Sequence, residues 1–133
     1  MHTLALLWVD GAPTDHRVLC CGRFLPRLLG VWALGGRLPP RTALCLSPCR
    51  SVHTLLLPRP IEVAFCDQHG LILQMHAPLA EQRAVACRNA RQAWEFRVGA
   101  TLRLGLAVGR RLEVREVPGQ RQRNTLGQGR LPA

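Results

Sequence analysis

The stretch Ile61-Glu62-Val63-Ala64-Phe65-Cys66-Asp67-Gln68-His69-Gly70-Leu71-Ile72-Leu73-Gln74-Met75-His76 decides the fold class. Successive side chains of a strand point to opposite faces. Ile61, Val63 and Phe65 therefore share one face, and Glu62, Ala64 and Cys66 the other. Asp67-Gln68-His69-Gly70 reads as the turn, with Gly70 suited to a left-handed conformation. The chain then returns with Leu71, Leu73 and Met75 opposite Ile72, Gln74 and His76. This is a β-hairpin, and it points to an antiparallel sheet.

Outward from the hairpin the same period recurs. Thr3–Val9 is apolar and meets the turn cluster Asp10-Gly11-Ala12-Pro13, so His16–Cys21 reads as its returning strand. Ala43–Ser47 is a short strand. In Gln92–Val98, Trp94, Phe96 and Val98 face one way, and Ala93, Glu95 and Arg97 the other. Leu102, Leu104, Leu106 and Val108 are also spaced like a strand, although Gly105 and Gly109 interrupt them. Arg111–Val117 is the last strand, with Leu112 and Val114 inward. Helical spacing is confined to Phe24, Leu28, Val31 and Trp32, with Pro26 near the start and Gly35-Gly36 and Pro39-Pro40 beyond the end. The expected architecture is α+β: a compact, β-rich single domain of mainly antiparallel strands with one or two short helices. It spans residues 1–117, and residues 118–133 read as a disordered basic tail.

With 133 residues and 47% apolar content, the chain can bury an ordinary core without a metal or disulfide. The net charge is +10, and every one of the 18 basic residues is arginine. Such a balance suits nucleic acid, an anionic membrane or an acidic partner. Yet the arginines are scattered, no run exceeds Arg110-Arg111, and no aromatics interleave with them as a base-stacking surface requires. Coding from GC-rich DNA accounts for abundant Arg, Ala, Gly, Pro and Leu without lysine or tyrosine, so electrostatic nucleic-acid binding ranks below composition bias. Leu4–Val9 is too short for a signal-peptide core, and no stretch is long enough to span a membrane. The expectation is a soluble cytoplasmic protein, exported only if a leader precedes the given start.

Cys49-Arg50-Ser51-Val52-His53-Thr54 is the densest polar constellation, and Cys87 follows in a similar setting. Cys49, His53 and Cys87, with Cys45 as a borrowed fourth ligand, would suit zinc, but the spacing lacks the two compact pairs of structural zinc sites, so no cofactor is expected. A Cys49–Cys87 disulfide is the other reading, and it needs an oxidising compartment. Cys45 and Cys66 lie in predicted strands and read as small hydrophobes, as do Cys20 and Cys21. A Cys49 thiolate activated by His53 is the enzymatic alternative, with or without a metal. No phosphate loop, nucleophile elbow or carboxylate pair accompanies it. Glu62 and Glu95 each sit mid-strand opposite the large apolar residues, which reads as routine surface charge on a sheet with one wet face.

Taken together, these segments resemble the family called domain of unknown function 192, over about residues 24–113. Phe24-Leu25-Pro26-Arg27-Leu28-Leu29-Gly30 is similar to its Arg-x-x-Gly-Leu signature, with Val31 in place of the usual Leu, and residues 49–54 to its Cys-x-Ser-Val-His-Thr form. Pro60-Ile61-Glu62-Val63-Ala64-Phe65-Cys66-Asp67 resembles its Pro-Ile-Asp-Val-x-Phe-x-Asp strand, with glutamate for the usual aspartate. Arg83, Cys87, Ala90 and Trp94-Glu95-Phe96 before Gly99 also fall into place. The resemblance implies a β-rich domain with short helices and a helical turn at Leu102–Leu106. It supplies no reaction, and some relatives carry export signals. It places His53, Thr54, Glu62, Arg83 and Glu95 at family-like positions, which implies a binding or accessory module with a small polar pocket for a small-molecule or protein partner.

Overall fold

A computed structural model of the chain describes residues 3–21, 38–53, 59–80 and 83–118. The central hairpin is formed as its pattern requires: β5 (Ile61–Cys66) pairs antiparallel with β6 (Ile72–Leu79). At the N-terminus β1 (Thr3–Val9) pairs with β2 (Ala12–Cys21) across a turn of Asp10 and Gly11. The remaining strands are β3 (Thr42–Leu46), β4 (Ser51–His53), β7 (Ala84–Ala86), β8 (Gln92–Phe96) and β9 (Leu112–Pro118). The helix expected at residues 24–32 and the tail beyond Pro118 lie outside the described residues. Among those residues no helix is long and apolar enough to cross a membrane.

Seven strands form one sheet in the order β6-β5-β8-β3-β2-β1-β9, and β4 and β7 form a separate two-stranded ribbon. Every pair is antiparallel except β2 and β3. A parallel pair cannot be joined by a tight turn, and β2 and β3 are separated in the sequence by residues 22–41. The two edge strands meet at one corner, where Leu71 and Arg111 form a bridge. Ile72 N–H donates to the Arg110 carbonyl at 2.8 Å, and Leu112 N–H donates to the Gly70 carbonyl at 2.8 Å. The turn at Asp10 is stitched to the same corner, because its carboxylate accepts Arg110 Nε at 2.7 Å and Arg111 N–H at 2.9 Å. Those donors hold the Asp10 carboxyl below its ordinary range, the Arg110 contact first. The sheet is thereby curled rather than flat.

Curling produces two cores. One fills the concave side and draws on all seven strands, including Leu7, Val18, Cys45, Ala64, Ile72, Trp94, Phe96 and Leu112. The other lies on the opposite face, where Leu44, Val63, Phe65 and Ala93 pack against Val52 of β4 and Val85 of β7. Strands β3 and β5 are therefore buried on both faces along their whole length. This overturns the expectation of one wet face for the central strands. Cys45 and Cys66 are buried as expected, whereas Cys20 is exposed on β2. Burial raises the Cys66 thiol well above its ordinary range.

The second correction concerns residues 102–108. They form no strand: α1 spans Ala100–Arg103, and turns continue to Gly109. Leu106 is buried and Leu104 packs on the concave core, so two of the leucines point inward without forming a ladder. The helical turn expected at Leu102–Leu106 overlaps α1 only at Leu102 and Arg103. The architecture is a β-rich domain with a mostly antiparallel sheet and, among the described residues, one four-residue helix.

The corner closure imposes one severe steric demand. Gly70 has φ +86°, and a Cβ there would fall against the Leu112 carbonyl oxygen, inside any permissible contact. Gly11, with φ +82°, has open space around its Cβ position. Replacing Gly70 by Ala should lower unfolding stability by about 2 kcal/mol or more, since strain and clash add. Gly11→Ala should cost distinctly less, and urea unfolding of the two variants side by side checks the difference.

Candidate functional site

Glu62 is 5% exposed and sits in β5 on the concave face beside Ala64 and Trp94. An isolated buried carboxylate costs several kcal/mol, so it must be met by donors. Its Oε2 accepts Gly99 N–H at 2.8 Å, and its Oε1 accepts Thr101 N–H at 2.9 Å and Thr101 Oγ1–H at 2.8 Å. Gly99 is the N-cap of α1 and contributes no side-chain cap. Glu62 thus supplies from a neighbouring strand the acceptor that a capping residue ordinarily provides. It is a carboxylate committed to shaping a loop.

Glu95 is also buried, at 3% exposure, but on the other face. The register pairs Glu95 with Val63 on one side and Leu44 on the other, both of the second core, while Glu62 pairs with Phe96 of the concave core. Residues directly opposite each other in a sheet share a face. The two glutamates therefore lie on opposite sides, and no single pocket holds both. Arg83 is exposed and precedes β7, whose Ala84 pairs with His53. It shares the ribbon side with Glu95. The side chain of His53 and the whole of Thr54 lie outside the described residues.

The ribbon also brings Cys49 and Cys87 near one another, for Cys87 N–H donates to the Arg50 carbonyl at 2.8 Å and both cysteines pack on the second core. They do not form a disulfide with one another. Cys49 Sγ donates to the Ser51 carbonyl at 3.1 Å. Among the described residues no group of three or more His, Cys, Asp or Glu side chains is placed to hold a metal ion.

A cleft lies elsewhere, at the end of the sheet where β3 begins and β8 ends. It encloses about 430 Å³ between the Pro40–Thr42 segment and residues 97–103, with His16 among its lining residues. Arg41, Arg97 and Arg103 line it, and among the described residues no carboxylate does. The backbone fixes two of these arginines. Arg41 has φ +49°, a conformation costly for a residue with a Cβ, and its carbonyl accepts Arg17 N–H at 2.9 Å. Arg103 belongs to α1, whose start Glu62 holds. Three guanidinium groups around one concavity suit a carboxylate or phosphate, which they recognise through paired N–H donors.

His16 is 2% exposed, and its ring lies 6.3 Å from that of Phe96. Its Nδ1 is 3.3 Å from Asp15 Oδ1. With Nδ1 donating to Asp15, the neutral ring carries its lone pair on Nε2. Burial pulls the His16 pKa below its ordinary value, and the Arg103 and Arg41 charges add to the effect against the opposing pull of Asp15. Asp15 itself is lowered, mainly by its bond to His16. It lies 3.9 Å from Arg41 Nε with both side chains well exposed, so that pair is weak. Sequence reading passed over His16. The signal was present: His16 and Val18 are two apart in β2 and both buried.

No family model matches the chain, and no curated protein matches it. Two solved structures share its fold. A proposed transcription regulator from Sinorhizobium meliloti 1021 superposes with a TM-score of 0.69 at 17% identity, covering 84% of this chain and 92% of that one. A protein of unknown function from Novosphingobium aromaticivorans superposes with a TM-score of 0.67 at 12% identity, covering 83% of each chain. At these identities the likeness is one of fold.

Two outcomes are expected. Glu62→Ala leaves three donors without their acceptor and should cost about 3 kcal/mol in urea unfolding, since each buried unmet donor costs roughly 1–3 kcal/mol. Because folding depresses the His16 pKa, the contribution of His16 is full above the unfolded value of about 6.5 and is lost as pH falls through the folded value. Wild type should therefore lose stability as pH falls below about 6.5, and His16→Gln should flatten that slope.

Proposed function

We propose that the chain is a binding module that holds a small anionic ligand, through a carboxylate or phosphate group, in the cleft between Arg41, Arg97 and Arg103. The observation that carries this reading is the convergence of three arginines and a buried histidine on one cleft that, among the described residues, no carboxylate lines. The Glu62 anchor supports it, because it holds the wall of the cleft from behind while leaving the guanidinium groups to face outward ligands. The positive φ of Arg41 also supports it, since strained non-glycine residues cluster at ligand clamps.

A cysteine enzyme is the weaker reading. Its support is the sequence proximity of Cys49 and His53 alone, and the Cys49 thiol donates to the Ser51 carbonyl. Nucleic-acid binding through stacked bases is also weaker, because Phe65, Trp94 and Phe96 are buried and Trp8 lies under the Arg115 guanidinium, 3.9 Å from its ring centroid. We further propose a distant relationship to domain of unknown function 192. The quoted motifs support it, as does the helical turn at Ala100–Arg103.

Titration calorimetry with inorganic phosphate and with citrate checks the cleft. Wild type should give saturable binding that weakens with added salt. Arg97→Ala and Arg103→Ala should each weaken it by about tenfold, the worth of one charge-assisted contact, with unfolding stability unchanged. Equal binding by wild type and both variants, or no saturable binding to either anion, would overturn the assignment.

A further inference from the structure

The residues that cover the cleft end of the sheet carry a second feature that anion binding alone does not use. Among the described residues the exposed large apolar side chains are Leu19, Val98, Leu102 and Val108, and three of them fall between β8 and β9. Leu102 is 86% exposed and Val98 is 55% exposed. Packing does not explain them. Ala100 and Thr101 face inward, and Thr101 is tied to Glu62, so α1 turns Leu102 outward with Arg103 beside it. The sequence order repeats the juxtaposition: Arg97 precedes Val98, and Arg103 follows Leu102. Val98 and Leu102 are thus each next in sequence to an arginine that lines the cleft.

Apolar side chains flanked by arginines, on a chain of net charge +10, are complementary to an anionic bilayer surface. Leucine and valine gain by leaving water at the level of the acyl boundary. Arginine stems reach past them while the guanidinium groups stay at the phosphates. We propose that this end of the domain docks on an anionic lipid surface, with Leu102 and Val98 entering the interface and Arg97 and Arg103 pairing with headgroup phosphates. The proposal rests on the cleft reading, because the same arginines hold the phosphate group in both. It requires no membrane-spanning segment, and it gives the exposed leucine a role that a soluble ligand would not.

Co-sedimentation of the full chain with vesicles tests it, comparing phosphatidylcholine alone with phosphatidylcholine containing phosphatidylglycerol. The chain should sediment with the anionic vesicles only, and high salt should release it. Leu102→Ser, paired with Val98→Ser, should lower partitioning by about tenfold, as expected for losing buried apolar area, while circular dichroism shows the fold retained. A variant that sediments like wild type would show adsorption by charge alone and overturn the docking. So would capture by neither vesicle. Calorimetry with inorganic phosphate separates the two ideas: saturable phosphate binding without sedimentation sinks the docking and leaves the cleft. Sedimentation that depends on Leu102 without phosphate binding sinks the cleft and leaves the apolar contact.

Discussion

A carboxylate inside a packed sheet is stable only while donors replace the water it has lost. Glu62 finds those donors in one place, the backbone of Gly99 and the backbone and hydroxyl of Thr101. The requirement runs in both directions. The carboxylate can be buried because the loop is there, and the loop turns into α1 at that point because the carboxylate accepts its first N–H groups. Gly99 takes φ +95° at the bend, which brings its own N–H and that of Thr101 onto the two carboxylate oxygens. Arg97, Val98 and Arg103 then have little freedom in where they emerge. One side chain on β5 thereby sets a wall of the cleft contributed by a segment 37 to 39 residues further along the chain.

The opposite wall has a different origin. Thr42 begins β3, and Arg41 just before it adopts a left-handed conformation while its carbonyl extends the parallel pairing toward Arg17. Parallel pairing between β2 and β3 sets His16 of β2 beside this segment, one residue before Arg17, which is the partner of Thr42. The cleft is therefore a product of topology: it sits where the parallel pair begins and where β8 leaves the sheet. The corner closure at Gly70 and Leu112 lies on strands β6 and β9, at the two ends of the strand order, and keeps the curl that gives the sheet its concave core.

Much of the fold was legible because period-two alternation is a local signal. The hairpin of β5 and β6, the pairing of β1 with β2, and strands β3, β8 and β9 all follow from it. Three features were not local. The ribbon of β4 and β7 has three residues per strand, too few for a pattern to emerge. Leu102, Leu104 and Leu106 alternate as a strand does, but the cap supplied by Glu62 and the glycines at 105 and 109 turn the segment instead. The faces of Glu62 and Glu95 depend on the register of β5 against β8, which a sequence does not display. Each strand alone shows its glutamate opposite the large residues. Only the pairing of Glu62 with Phe96 and of Val63 with Glu95 reveals that these opposite sides are different sides.

The same distinction governs the arginines. A composition that places arginine throughout the chain makes net charge a poor guide to a site, since most such residues face solvent singly. What distinguishes Arg41, Arg97 and Arg103 is that two unrelated constraints, a left-handed residue before β3 and a capped turn after β8, aim them at one concavity. Nearby negative charge offsets them only weakly. Asp15 is drawn onto His16 and meets Arg41 Nε only at 3.9 Å with both side chains well exposed, and Glu62 is consumed by backbone donors behind the wall. Binding a carboxylate with N–H groups rather than with arginine leaves the guanidinium charge available, and that is the physical reason a buried acid on β5 and an open basic cleft coexist on the two sides of one loop.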